Sequence, residues 1–125
     1  MHDVIKAFKA LSDETRLRIL NLLLQRECCV CEVMQALNIS QTRASRNLSV
    51  LHEAGFLKLR KEGLWSHYSV SDRKDEEWLK TLLAAVGQAL QNQPEAQQDL
   101  DNLEQAVKLS QVCCKSAQTG ASCNS

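Results

Sequence analysis

Little in this chain would break a helix. Four glycines and a single proline interrupt 125 residues, and apolar residues recur mostly at three- and four-residue intervals, so the chain is expected to be largely helical. An excess of charge is also missing. Fifteen basic and fifteen acidic residues leave a formal net charge of zero, which removes the simplest argument for nucleic-acid binding, an overall basic chain. Any such case has to be local. The start, "MHDVIKAFKALSDETR", carries charges every few residues and has no uninterrupted apolar stretch of the kind a signal peptide or a membrane span needs. A cytoplasmic protein with no membrane partner is the expectation. The length and the 44% hydrophobic content suit one domain with its own core, and a second full domain is not expected.

Cysteine is not scarce. Six are present, and "RECCVCEVMQAL", from Arg26, places Cys28, Cys29 and Cys31 within four consecutive positions. In a compartment that keeps thiols reduced, such usage points away from a disulfide framework and toward soft-metal binding or redox chemistry.

Along the chain, Ser12 or Asp13 can cap a helix whose Leu17, Leu20 and Leu24 share a face, and Val30, Val33, Met34 and Leu37 mark another beyond "QRE". Ser40 can cap a third, with Ala44, Leu48 and Leu51 inward, Arg43, Arg46 and Asn47 toward the other side, and Gly55 as its stop. From Leu57 the period changes to two. Leu57 and Leu59 alternate with Lys58 and Arg60, "KEG" turns, and Ser66, Tyr68 and Val70 alternate with Trp65, His67 and Ser69, which reads as a β-hairpin. Residues 75 to 92 return to helix with two apolar stripes: Trp78, Leu82, Ala85 and Ala89, then Leu79, Leu83, Val86 and Leu90. A face that wide suggests burial on two sides, as at a dimer interface, helped by Val4, Ile5 and Phe8. Past Pro94 a weakly amphipathic helix runs toward Cys113 and Cys114, and the ten residues after Lys115 read as flexible.

Two short helices, a tight turn, a third helix and a hairpin, in that order, define a winged helix-turn-helix. The expected fold class is therefore mainly α with a small β-hairpin, dimeric. Residues 1–92 form the DNA-binding and dimerisation domain, and 93–125 a helical extension with a Cys-rich tail. Gln41, Thr42, Arg43, Ser45, Arg46 and Asn47 fall in the first turns of the recognition helix, where Arg, Asn and Gln can contact base edges. Arg60 and Lys61, at the hairpin, are placed on phosphate. His67 is a weaker candidate there. Residues 40 to 68 hold five Lys or Arg against two acids, so this segment is basic although the chain is not.

These residues resemble the arsenic-responsive repressor (ArsR/SmtB) family of bacterial winged-helix metalloregulators over residues 4 to 90. "LSDETRLRIL", "SQTRASRNLSVLHEAGFLKLRKEG" and "WSHYSV" each resemble its pattern, and "ECCVCEV" resembles its metalloid-binding box. The resemblance implies that Cys29 and Cys31 are paired metalloid thiolates and that their loading releases a repressor from double-stranded operator DNA, turning on resistance genes. Where arsenite-type members carry a third cysteine three positions after the pair, this chain has Met34, and its extra thiol, Cys28, precedes the pair. The family's other site type uses histidine and acidic ligands on the last core helix, and residues 75 to 92 contain no histidine.

Thiolates favour trivalent arsenic or antimony, or cadmium, lead or copper(I), over hard cations. A thiol in a first helical turn would have its pKa lowered by the helix dipole. Residues two apart do not face each other on a regular helix, so joint binding by Cys29 and Cys31 requires the first turn to distort, which is the expected switch. Arsenite or antimonite is thus the expected effector, with no cofactor besides, and no enzymatic role is expected. Cys28, or Cys113 and Cys114 with Cys123, can complete the ligand set. A redox-sensing repressor using Cys28, Cys29 and Cys31 is the alternative, and a soft-metal buffer without a DNA role is a third.

Overall fold

A computed structural model describes residues 1–72 and 76–118, the last twelve of these as helix backbone. The elements are α1 (His2–Leu11), α2 (Glu14–Gln25), β1 (Cys28–Cys29), α3 (Val30–Leu37), α4 (Gln41–Glu53), β2 (Leu57–Glu62), β3 (Trp65–Val70), α5 (Glu77–Leu90) and α6 (Pro94–Gln118). The expected mainly helical winged helix-turn-helix is what the chain forms. Among the described residues no helix is long and apolar enough to cross a membrane.

Local chemistry sets the boundaries. Asp13, rather than Ser12, caps α2 by accepting from the Arg16 N–H at 3.0 Å, and the Ser40 hydroxyl caps α4 by accepting from the Arg43 N–H at 3.2 Å. Asn38 ends α3 in the left-handed region, φ 55°, which its short polar side chain tolerates, and the turn to α4 is thereby only three residues long. Gly55, φ 96°, follows α4 as expected.

The hairpin turns one step later than "KEG" suggests. Lys61 and Glu62 are still in β2, Glu62 pairs with Trp65, and Gly63 and Leu64 make a two-residue loop. Gly63 has φ +61° while Leu64 stays at negative φ, the pattern of a type II′ turn with glycine first. A third strand completes the sheet, in the order β1-β3-β2, with Cys28 opposite Tyr68 and Cys29 opposite His67.

One core joins these elements: Ile19, Leu20, Leu22 and Leu23 from α2, Val33 and Leu37 from α3, Ala44, Leu48 and Leu51 from α4, Phe56, and Leu79, Leu83 and Val86 from α5. The second stripe of α5 is thus the buried one, while Trp78, Ala85 and Ala89 face outward. The extension past residue 93 packs on α2 and α3. Leu103 enters the core, the Asp99 carboxylate takes both the Nε (2.8 Å) and the Nη2 (2.7 Å) of Arg18, and Asn102 Nδ2 donates to the Ala36 carbonyl at 3.0 Å. Helix α6 continues to Gln118, three residues into the stretch read as flexible; Cys123 and the side chains of Cys113 and Cys114 lie outside the described residues.

Candidate DNA-reading face and thiol cluster

Helix α4 presents Gln41, Thr42, Arg43 and Arg46 to solvent, and Ser45 is half-buried beside them. Arg46 makes no hydrogen bond or ion pair with the described residues, whereas Arg43 donates from Nη2 to the hydroxyl of buried Thr15 at 2.9 Å. Asn47 corrects its expected placement. It is buried, its Oδ1 accepts from Arg16 Nη1 at 3.1 Å, and its Nδ2 donates to the Arg43 carbonyl at 2.9 Å, so it faces the fold and not outward. The signal was present: Asn47 lies three positions after Ala44 and four before Leu51, inside the inward stripe.

On the wing, Lys61 is exposed and without an ion pair among the described residues, as a phosphate contact needs. Arg60 is exposed too, but its guanidinium is shared between Glu27 (2.7 Å) and Glu62 (2.8 Å), which lower in pKa as it pairs with them. Its charge is therefore already answered within the protein. His67 is half-buried, with Nε2 3.7 Å from a Glu62 oxygen, and stands across the strand pair from Cys29.

The three clustered thiols occupy different positions from one another. Cys28 and Cys29 belong to β1, Cys29 is also the N-cap of α3, and Cys31 sits in the first turn. Cys29 and Glu32 form a capping box: the sulfur faces the Glu32 N–H, and a Glu32 oxygen accepts the Cys29 N–H at 2.9 Å. The other Glu32 oxygen pairs with Arg26, which makes the buried carboxylate a tie between the loop before β1 and the helix after it. Cys28 Sγ donates to the Arg26 carbonyl at 3.6 Å, and Cys31 Sγ accepts from Gln35 Nε2 at 3.0 Å.

The expected lowering of thiol pKa at the helix start does not occur. Burial pushes Cys28 and Cys29 up to about 12, and raises Cys31 as well, with the nearby Glu32 carboxylate adding to the effect. Desolvation outweighs the dipole because Cys28 and Cys29 are almost wholly buried, at 0% and 2% exposed. Among the described residues no three Cys, His, Asp or Glu side chains converge on one point. A three-thiolate site therefore needs the start of α3 to rearrange, or ligands from beyond Val107. Sequence reasoning missed Glu32, although Cys-x-x-Glu before an apolar run is a capping-box pattern with sulfur in the cap. It also missed Arg16 and Glu27, whose partners lie 31 and 33 positions away and leave no local trace.

A three-helix core, a short turn before an exposed basic helix, and a wing closing on that core define a winged helix-turn-helix regulator. Residues 13–59 match the sequence profile of the family described as bacterial regulatory protein, arsR family. The chain is 50% identical over 68 residues to the arsenical resistance operon repressor of Escherichia coli K12 (54% of this chain, 58% of that protein). It is 46% identical over 71 residues to the CadC homolog of Staphylococcus aureus, a cadmium resistance transcriptional regulatory protein (56% and 59%). The chain thus spans under two thirds of the length of each. The homodimeric winged helix-turn-helix DNA-binding domain of Mb0332 from Mycobacterium bovis, a possible ArsR-family regulator, superimposes with a TM-score of 0.62 at 31% identity, covering 74% of this chain and 82% of that one. The chain belongs to the arsR family of bacterial regulatory proteins.

Proposed function

We propose that the protein is a homodimeric transcriptional repressor that leaves its operator when trivalent arsenic or antimony binds its cysteine thiolates. The observation that carries this reading is the double role of one short segment. Cys28 and Cys29 form the edge strand of the wing's sheet, and Cys29 also caps α3, the helix before α4. An ion gathering Cys29 and Cys31 would take the sulfur from its cap, turn it from the Glu32 N–H, and strain both the β1–β3 pairing and the seat of α4. Effector and DNA would then bind different arrangements of the same elements, and each would weaken the other by the same factor.

Base edges fall to Gln41, Thr42, Arg43, Ser45 and Arg46, and phosphate to Lys61. The metalloid falls to Cys29 and Cys31, with the third thiolate from Cys28 or from Cys113 and Cys114 with Cys123, since Met34 offers a weak thioether. Packing of α6 along α3 supports a contribution from the tail of the same subunit. Arsenous acid fits buried, protonated thiols: each As–S bond forms as an As–O bond breaks, and the thiol proton leaves with the hydroxide as water. Relatives named for arsenical and for cadmium resistance both resemble this chain, so a cadmium, lead or copper(I) response is the second reading. Burial and raised pKa work against the redox alternative, because peroxide attacks an accessible thiolate.

The test is a gel shift with DNA from upstream of the protein's own gene, repeated with arsenite, antimonite, cadmium and peroxide. Release by arsenite or antimonite at lower concentration than by cadmium is expected. Release by peroxide alone would overturn the metalloid reading in favour of the redox one.

A further inference from the structure

Arg16 stands where three helices meet. Its Nε donates to the Ala10 carbonyl at 2.6 Å and its Nη2 to the Lys9 carbonyl at 3.3 Å, in the last turn of α1, while Nη1 donates to Asn47 Oδ1 at 3.1 Å. Asn47 passes the link on to the Arg43 carbonyl in the turn of α4 that carries the base-reading side chains. A second tie runs beside it, from Arg43 Nη2 to Thr15. The far side of α1 bears Val4 and Phe8, which line an apolar groove of about 400 Å³ with Trp78, Thr81 and Leu82 of α5. One planar guanidinium therefore joins the helix of the proposed dimer face to the recognition helix.

We propose that Arg16 is a positioning residue that sets the distance between the two recognition helices of the dimer, and with it the half-site spacing the protein accepts. This rests on the dimeric operator-binding reading. The fork geometry matters: a guanidinium can hold two carbonyls and an amide oxygen at fixed angles, which an ammonium on a flexible stem cannot. If the joint loosens, each α4 keeps its side chains but not its fixed offset from the dimer axis. Register between two half-sites about one helical turn apart is then lost before base chemistry is.

The experiment uses the full chain and an operator duplex footprinted within the upstream DNA, together with duplexes carrying one or two base pairs more or fewer between half-sites. Arg16→Lys is expected to remain dimeric in sedimentation, to lose about tenfold in affinity for the parent's operator, and to bind the altered spacings nearly as well as the original. Asn47→Leu, which removes the acceptor, should behave likewise. Asn47→Asp, which keeps an acceptor for Arg16, should retain the parent's spacing preference. A dimeric Arg16→Lys with the parent's ratio of affinities across spacings, whether or not every affinity falls, overturns the assignment. If Arg16→Lys does not fold, the same ratio in Asn47→Leu decides it. A parent protein that binds no inverted repeat overturns the operator-binding reading itself.

Discussion

Basic side chains near the DNA-reading face divide by what already holds them. Arg46 and Lys61 are exposed and unpaired among the described residues, Arg43 is steadied by Thr15, and Arg60 lies between two carboxylates. Arg46→Ala is expected to cost about 1 to 3 kcal/mol of discrimination between operator and unrelated DNA. Lys61→Ala should weaken all sequences alike and lower the salt slope by about one. Arg60→Ala should change that slope less than Lys61→Ala does; an equal or larger change, measured by titration at several salt concentrations, would show that Glu27 and Glu62 release Arg60 on DNA. The thiols carry a different expectation. With Cys28 and Cys29 raised to about 12, both are protonated at neutral pH, so Cd²⁺ must displace a proton from each thiol it takes, while arsenous acid releases the proton as part of water. Cadmium affinity should therefore climb between pH 6 and 8, about tenfold per unit for each thiol bound, and arsenite affinity should stay nearly level. Calorimetry in buffers of different ionisation enthalpy counts the protons. No proton release on cadmium binding, together with proton uptake on arsenite binding, would mean that the thiols are ionised before binding.

Elements carried by a long period were legible in the chain, and short or long-range ones were not. The Leu17, Leu20 and Leu24 face and the alternation from Leu57 each repeat over several residues, the Ser40 cap was readable from its residue type and place, and the structure has all three. Strand β1 is two residues long and has no period to display, so its pairing with β3, and the burial that raises the thiols, could not be foreseen. That pairing sharpens the expectation for the switch. Cys29→Ser replaces one capping acceptor by a better one, so the variant should fold and bind DNA like the parent, yet fail to let go on adding arsenite. Cys31→Ser should do the same. Normal release by the Cys29→Ser, Cys31→Ser double variant would place sensing elsewhere. Helix α6 allows a separate check, since Asp99, Asn102, Leu103 and Ala106, its ties to the core, all precede Ser110. A chain ending at Ser110 should keep its stability, and a shifted midpoint or stoichiometry for metalloid-driven release would assign ligands to the tail. Unchanged values would return the third ligand to Cys28.

At the scale of the whole molecule the charge is balanced, and its hydrophobic surface is not evenly spread. Val4, Ile5 and Phe8 on α1 and Trp78 on α5 are exposed, Phe8 at 53%, and Val4, Phe8 and Trp78 share one groove with Leu82. The opposite stripe of α5 is already buried in the core, which leaves this face, among the described residues, free to meet a second copy. A twofold axis there makes the contact self-complementary, with each copy offering the same apolar groove and the same α1 ridge. In the proposed dimer it would also put two α4 helices on one side, where recognition helices about 34 to 36 Å apart would read an inverted repeat. Phe8→Glu buries a carboxylate in that contact unless the dimer parts. Its expected behaviour is a folded monomer with unchanged helical circular dichroism and binding to single half-sites that has lost the bivalent gain of about a hundredfold or more. Sedimentation of the parent at micromolar concentration checks the premise directly. A stable monomer there, or a Phe8→Glu chain that still sediments as a dimer, would move the interface off α1 and α5.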